Sequence, residues 1–138
     1  RRVTLEEAFA ESYVVSNHLP NLPPTVGLLT GSLFASMPQG ATFINTGRGA
    51  QVRESELIAV LRERPDLTAL LDVTCPEPPE ADSPLHTLPN VRLSSHIAGS
   101  LNDEWLRLAD YAIEECRRWL NGRALRYSVT EAMLETMA

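Results

Sequence analysis

The runs SYVVSNHLP, ATFI, LTALLDV and VRLSS are short, β-prone and almost free of charge, and segments with helical apolar spacing separate the first three. A strand without charge is suited to burial on both faces, and strands that alternate with helices are joined by crossovers and run parallel. The pattern predicts an α/β fold, a parallel sheet with helices on both faces. Proline cannot continue a ladder, so Pro20, Pro23 and Pro24 end the first run and leave residues 20–25 as a loop.

Thr4 and Glu7 have capping-box spacing and open a short helix through Phe9. GSLFASM is a second short helix, ended by Pro38 and Gly40. Residues 54–64 form a third, with Leu57, Val60 and Leu61 on one face, acidic residues in the first turn and arginines in the last, before Pro65 closes it. The longest covers residues 102–120, with Trp105, Leu108, Ala109, Ala112, Ile113, Cys116 and Leu120 on one stripe and Asn121-Gly122 as its stop. TCPEPPEADSPLHTLPN, between the third and fourth strands, is too polar and too broken by proline for either regular structure.

With 138 residues, 43% of them hydrophobic, the chain is one domain long and can bury a core. Its net charge of −6 is scattered rather than blocked, which fits no nucleic-acid footprint, and no basic amphipathic face suits a membrane. No apolar stretch approaches the ~20 residues of a spanning helix, and no signal-peptide pattern opens the chain. Cys75 and Cys116 stand far apart, with no CxxC pattern and no clustered histidines, so neither a disulfide framework nor a metal site is expected. The expectation is a soluble, cytoplasmic protein. The start at Arg1, almost directly in a helical pattern, suggests a piece of a longer chain.

Ligands of parallel sheets bind beyond the carboxyl ends of the strands. That rule selects His18 after the first strand, Thr46, Gly47 and Arg48 after the second, Asp72 at the end of the third and His96 at the end of the fourth. Arg48 lies in a glycine-flanked turn where backbone can approach a ligand, and its planar guanidinium suits a carboxylate or phosphate. The alternative is an ion pair with a local Glu. His96 can pass a proton near neutral pH, or can be a satisfied structural histidine. Glu77, in a loop restricted by Pro76, Pro78 and Pro79, can orient that imidazole or be a solvated loop residue. Asp72 can cap the next loop or hold a ligand amide. Cys75 has no histidine placed to activate it and reads as loop packing; Cys116 falls on the apolar stripe and reads as core. His86 is given no role.

INTGRGAQVRESEL, LLDVTCPEPP and SPLHTLPNVRLSSHIAGS, in that order, resemble the carboxy-terminal part of the D-isomer-specific 2-hydroxyacid dehydrogenases. The likeness extends upstream to VVSNHLPNLPPTVGLL and downstream to WLNGRAL. It implies that residues 1–98 are the second half of a doubly wound, Rossmann-type nucleotide domain, and that residues 99–138 are a C-terminal helix and tail returning to a substrate domain. The family's glycine-rich fingerprint and most of the substrate domain would lie upstream of Arg1, and these residues alone would be inactive.

The resemblance also implies roles. Arg48, in NTGRG, would hold a substrate carboxylate, Glu77 would support His96, and His96 would be the acid/base. NAD or NADP would be lined by His18, Leu19, Pro20, Thr46, Gly47, Arg48, Asp72, His96, Ala98 and Gly99, with Asp72 on the nicotinamide carboxamide. Ser95 replaces the family's usual proline, and Thr68 a frequent glycine. The implied activity is hydride transfer between the nicotinamide and a small D-2-hydroxy acid or 2-oxo acid, in a homodimer. The alternative is a dinucleotide-sensing, corepressor-like scaffold without turnover.

Overall fold

The computed structural model describes residues 1–137, which divide into two units, Arg1–His96 and Ile97–Met137. In the first unit α1 (Leu5–Glu11) leads into β1 (Val14–Asn17), α2 (Gly31–Ser36) into β2 (Thr42–Asn45) and α3 (Glu54–Glu63) into β3 (Thr68–Leu71). A long loop then leads to β4 (Val91–Leu93). The strands form one parallel sheet in the order β1-β2-β3-β4. Each strand lies beside its predecessor, so right-handed crossovers all step the same way, and α1, α2 and α3 line up side by side. The parallel α/β sheet is therefore as expected, with the helices of this unit gathered in one layer.

The register aligns Val15, Phe43, Ala69 and Val91 across the sheet. These meet Phe9, Leu33, Phe34, Leu57 and Leu61 in a single core. The Phe34 ring lies edge-on to Phe9, with centres 5.5 Å apart, and to Phe43, at 4.9 Å, an arrangement the ring quadrupole favours. Full burial of a side chain of this kind stabilises the fold by about 1.5–3 kcal/mol. Ile44 and Leu70, which point to the other face, are half-buried.

Local chemistry sets the helix starts. Glu7 N donates to Thr4 Oγ1 (3.1 Å) and Thr4 N to Glu7 Oε2 (3.0 Å), completing the expected capping box. The first turn of α2 borrows its cap from α3, since Gly31 N donates to Glu56 Oε2 at 2.6 Å. That bond, with Arg53 beside it, holds the Glu56 carboxyl below its ordinary value. The proline-rich loop is less formless than its composition suggests: a 3-10 turn, Pro84–His86, buries Leu85.

The second unit contains α4 (Asp103–Leu120) and α5 (Glu131–Leu134). α4 stops where Asn121-Gly122 was expected to stop it: Gly122 has φ +62 and Arg123 N donates to Arg118 O at 2.9 Å. The chain then folds back, because Glu115 Oε2 accepts from Arg126 N (2.9 Å) and Tyr127 N (3.1 Å). Cys116 is exposed rather than core, and Trp105, Leu108, Ile113 and Leu120 are exposed with it. Periodicity identifies a face that avoids water, but the core reading also needed a covering layer, and this unit supplies none among the described residues. Of the expected tail, residue 138 lies outside the described residues. Among the described residues no helix is long and apolar enough to cross a membrane.

Candidate active site

β2 ends at Asn45, and the chain turns through Thr46 and Gly47 into Arg48, whose backbone is extended. Asn45 shapes this turn with both ends of its amide. Its Oδ1 accepts from Gly47 N (3.1 Å) and its Nδ2 donates to Arg48 O (3.2 Å). Arg48 is exposed, and Nη1 donates to Gly47 O at 2.8 Å. Among the described residues it has no carboxylate partner, so the local Glu pair is not formed and most of the guanidinium fork has no protein acceptor. The loop after β3 lies against this turn, with Gly49 on the Thr74 backbone and Cys75 N donating to Glu54 Oε2 at 3.0 Å. Cys75, expected to pack in that loop, is exposed; what is held is its backbone N–H.

Asp72, just past β3, is buried and joins the ends of the neighbouring strands. Its N–H donates to Asn45 O (2.9 Å), and its carbonyl accepts from His96 N (3.0 Å). Ser94 Oγ donates to Asp72 Oδ1 at 2.5 Å, which fixes how the carboxylate is turned. Sequence reasoning passed over Ser94, although a hydroxyl placed after β4 is a natural donor to a carboxylate placed after β3.

His96 has φ +57, a left-handed value that residues with side chains adopt seldom and at some cost. From there its Nδ1 lies 2.5 Å from Glu77 Oε1. The side chains remain 48% and 41% exposed, so the pair is reachable from solvent. A carboxylate at Nδ1 favours the tautomer with the proton on Nδ1. Nε2, which has no partner among the described residues, is then able to accept a proton and later return it. Arg48 makes no hydrogen bond to either member of this pair.

The turn after β1 is held differently. His18 is exposed, with Nε2 2.8 Å from Ser16 Oγ. The carbonyls of Leu19 and Pro20 accept from Gln51 Nε2 at 2.7 and 2.9 Å. Gln51 Oε1 accepts from Asn17 Nδ2 (2.5 Å), which also donates to Asn45 Oδ1 (2.9 Å). Asn17, Asn45 and Gln51 are all buried, and the sequence reading gave them no role. The available signal was that β1 and β2 both end in Asn, which the register places side by side. Ala98 and Gly99 follow Ile97, the first residue of the second unit, and are exposed; His86 is exposed, with Nε2 3.1 Å from Glu80 O.

Residues 1–98 match the model of the D-isomer specific 2-hydroxyacid dehydrogenase, NAD binding domain. YoaD of Bacillus subtilis, a protein classed with the 2-hydroxyacid dehydrogenases, is 40% identical over 100 residues, 72% of this chain and 29% of its own. Hydroxypyruvate reductase of Blautia hydrogenotrophica is 31% identical over 88% of this chain and 38% of its own. The crystal structure of a D-isomer specific 2-hydroxyacid dehydrogenase from Xanthobacter autotrophicus, in complex with NADPH and MES, superposes with a TM-score of 0.78 at 35% identity, over 94% of this chain and 52% of that one. The chain thus spans less than half the length of these curated relatives. It belongs to the D-isomer specific 2-hydroxyacid dehydrogenase family, and the match to that family's NAD-binding domain covers the sheet and all the rim residues from His18 to His96.

Proposed function

We propose that the complete protein is an oxidoreductase that transfers a hydride between NAD or NADP and a small D-2-hydroxy acid or 2-oxo acid. The observation that carries this reading is the Glu77–His96 pair at the carboxyl edge of a parallel sheet, with Nδ1 engaged and Nε2 open. Proton transfer during turnover requires a pair of this form, whereas a binding scaffold does not require one.

In this reading Arg48 holds the substrate carboxylate by two parallel N–H bonds, which is supported by its exposure and its lack of an acidic partner among the described residues. In reduction, His96 gives the proton on Nε2 to the carbonyl oxygen as it becomes a hydroxyl. In oxidation, Nε2 takes that proton back, and the Glu77 carboxylate balances the charge on the ring. When bound, the nicotinamide supplies the hydride to C2 or receives it from there.

The residues present fit such a group. Asp72, oriented by Ser94, offers a carboxylate acceptor suited to a carboxamide N–H. His18, Leu19, Pro20, Thr46 and Gly47 would hold the cofactor at the rim, with Ala98 and Gly99 assigned to it by the family resemblance. The NADPH-bound relative from Xanthobacter autotrophicus supports this cofactor class. Residues 1–98 are assigned to the second half of the nucleotide domain. Residues 99–138 are assigned to a helix and tail that pack on a substrate domain, as the uncovered Trp105 and Leu120 suggest. The complete protein is assigned to the cytoplasm as a homodimer, in line with the same resemblance.

The test is reduction of glyoxylate and hydroxypyruvate by the complete protein with NADH or NADPH, followed by nicotinamide absorbance. Turnover is expected, and Arg48→Lys is expected to lower kcat/KM by about tenfold or more, because a point charge cannot replace the planar fork. A change below about threefold, ~0.7 kcal/mol, would remove Arg48 from the clamp role. Dinucleotide binding with no turnover of any 2-oxo acid would favour the scaffold.

A further inference from the structure

We propose that Gln51 is a positioning residue of this site, tying the 18–20 turn, assigned to the dinucleotide, to the 46–48 turn that carries Arg48. The inference rests on the oxidoreductase reading of those two turns and deepens it.

Gln51 is 0% exposed, in the 3-10 turn Gly49–Gln51 that leads into α3. Its amide is used on both sides: Nε2 donates to the carbonyls of Leu19 and Pro20, and Oε1 accepts from Asn17 Nδ2. Asn17 passes the connection to Asn45, and Asn45 fixes both Gly47 N and Arg48 O. Three buried amides therefore run without a break from the Pro20 carbonyl to the Arg48 carbonyl.

Filling the same volume with an apolar side chain would satisfy packing. What it would not do is donate to the half-buried Leu19 carbonyl, or tie in the Pro20 carbonyl, which otherwise accepts only within its own loop, from Leu22 N (3.1 Å) and Thr25 Oγ1 (2.7 Å). Both ends of the network are backbone atoms of rim turns, and neither end lies in the apolar core. A buried polar chain of this kind has few alternative arrangements, because breaking a link between Asn17, Asn45 and Gln51 strands an amide donor or acceptor away from water. Displacement of the 18–20 turn is thus transmitted to the backbone that aims Arg48.

The experiment uses the complete protein and calorimetric titration with NADH and NADPH, which needs no turnover. In Gln51→Met, of similar shape but without the amide, the dinucleotide Kd is expected to rise about tenfold, and the KM for the 2-oxo acid to rise with it. Gln51→Glu keeps the acceptor for Asn17 but sets an oxygen against the Leu19 and Pro20 carbonyls. Its binding is expected to be poor at about pH 8 and to recover toward about pH 6, where a protonated carboxyl can donate again. Among the described residues the Gln51 side chain hydrogen-bonds only to Asn17, Leu19 and Pro20, none of which ionises there. The charged or titratable side chains on the two turns are His18 and Arg48, and the wild type measured in parallel accounts for them.

A purely structural glutamine would lower the melting temperature of the variants and leave Kd flat with pH. Binding within twofold of wild type, at both pH values and in every variant that folds, overturns the proposal. Should Gln51→Met fail to fold, the pH response of Gln51→Glu decides alone. Failure of the wild type to bind either dinucleotide would instead overturn the oxidoreductase reading, and this inference with it.

Discussion

Gly49 and Thr74 meet backbone to backbone, so that a Cβ at position 49 would run into the Thr74 carbonyl group. Gly49 does not have a positive φ. Glycine is needed here for the approach of the loop leaving β3, not for a turn. Arg48 is followed by glycine because the loop bearing Glu77 must lie against the turn bearing Arg48, and Glu54 Oε2 holds that loop in place through Cys75 N.

Replacing Gly49 with alanine should therefore separate the two loops. The obstacle is main chain rather than the end of a flexible side chain, so the expected cost is that of overpacking, about 1–3 kcal/mol. Urea denaturation of the complete protein should show a lower midpoint, and kcat/KM should fall at temperatures where the variant is still folded. An unchanged midpoint would mean that the loop yields freely and that the contact does not define the rim.

Glu77→Gln tests the pairing with His96. The amide oxygen can still accept from Nδ1–H, so the ring stays oriented, but the charge that balances the protonated ring is gone. Because both side chains are partly solvated, the expected loss is at the modest end for a charge-assisted bond, about tenfold in kcat with KM little changed. Steady-state kinetics on the preferred 2-oxo acid give both constants. A kcat within twofold of wild type would leave Glu77 as a solvated loop residue that happens to touch the ring.

The sheet was legible because burial strips charge from strands, and the three phenylalanines that fill its helical side fall at the apolar positions of α1, α2 and β2. Arg48, Glu77 and His96 were legible because they sit at strand exits among glycines and prolines, where polar side chains have no packing task. Asn17, Asn45 and Gln51 were not. A polar residue reads as surface unless its partner is known, and here the three side-chain amides meet only in the fold: register sets Asn17 beside Asn45, and the 3-10 turn brings in Gln51, 34 positions from Asn17 in sequence. Cys116 fails for the opposite reason: the stripe on α4 is plain in the sequence, but a stripe does not reveal what covers it.

Ser95 occupies the position before His96 where the family resemblance expects proline. Its neighbours Ser94 and His96 donate their N–H groups to Leu71 O and Asp72 O at 3.0 Å each, while the Ser95 N–H donates no hydrogen bond among the described residues. Proline would remove nothing from the ladder and would restrict the unfolded chain. Ser95→Pro is expected to stabilise the complete protein by about 0.4–1 kcal/mol with activity retained. A clear fall in melting temperature would mean that the left-handed His96 depends on a backbone angle at position 95 that proline cannot adopt.

Asp66 predicts an acid-sensitive contribution to stability far from the rim. Arg64 grips both of its oxygens, Nε to Oδ1 at 2.9 Å and Nη2 to Oδ2 at 2.7 Å, and Gly40 N donates to Oδ2 at 3.1 Å. The Arg64 bonds first, and the Gly40 bond after them, hold the Asp66 carboxyl well below the usual carboxylate range; the same contact raises the Arg64 guanidinium. A carboxyl depressed in the folded state stabilises the fold above its unfolded pKa, about 3.9, and that contribution is lost as pH falls through the lower folded value. Asp66→Asn should therefore melt below wild type at neutral pH, and the gap should narrow steadily as the pH drops below about 4. Both side chains are more than a quarter exposed, 29% for Arg64 and 27% for Asp66, so water and salt screen the pair, and added salt should narrow the neutral-pH gap as well. Melting curves of the two proteins across this range decide the matter: a gap that stays constant with pH would assign the loss to the shape of the Gly40 turn rather than to the carboxylate's charge.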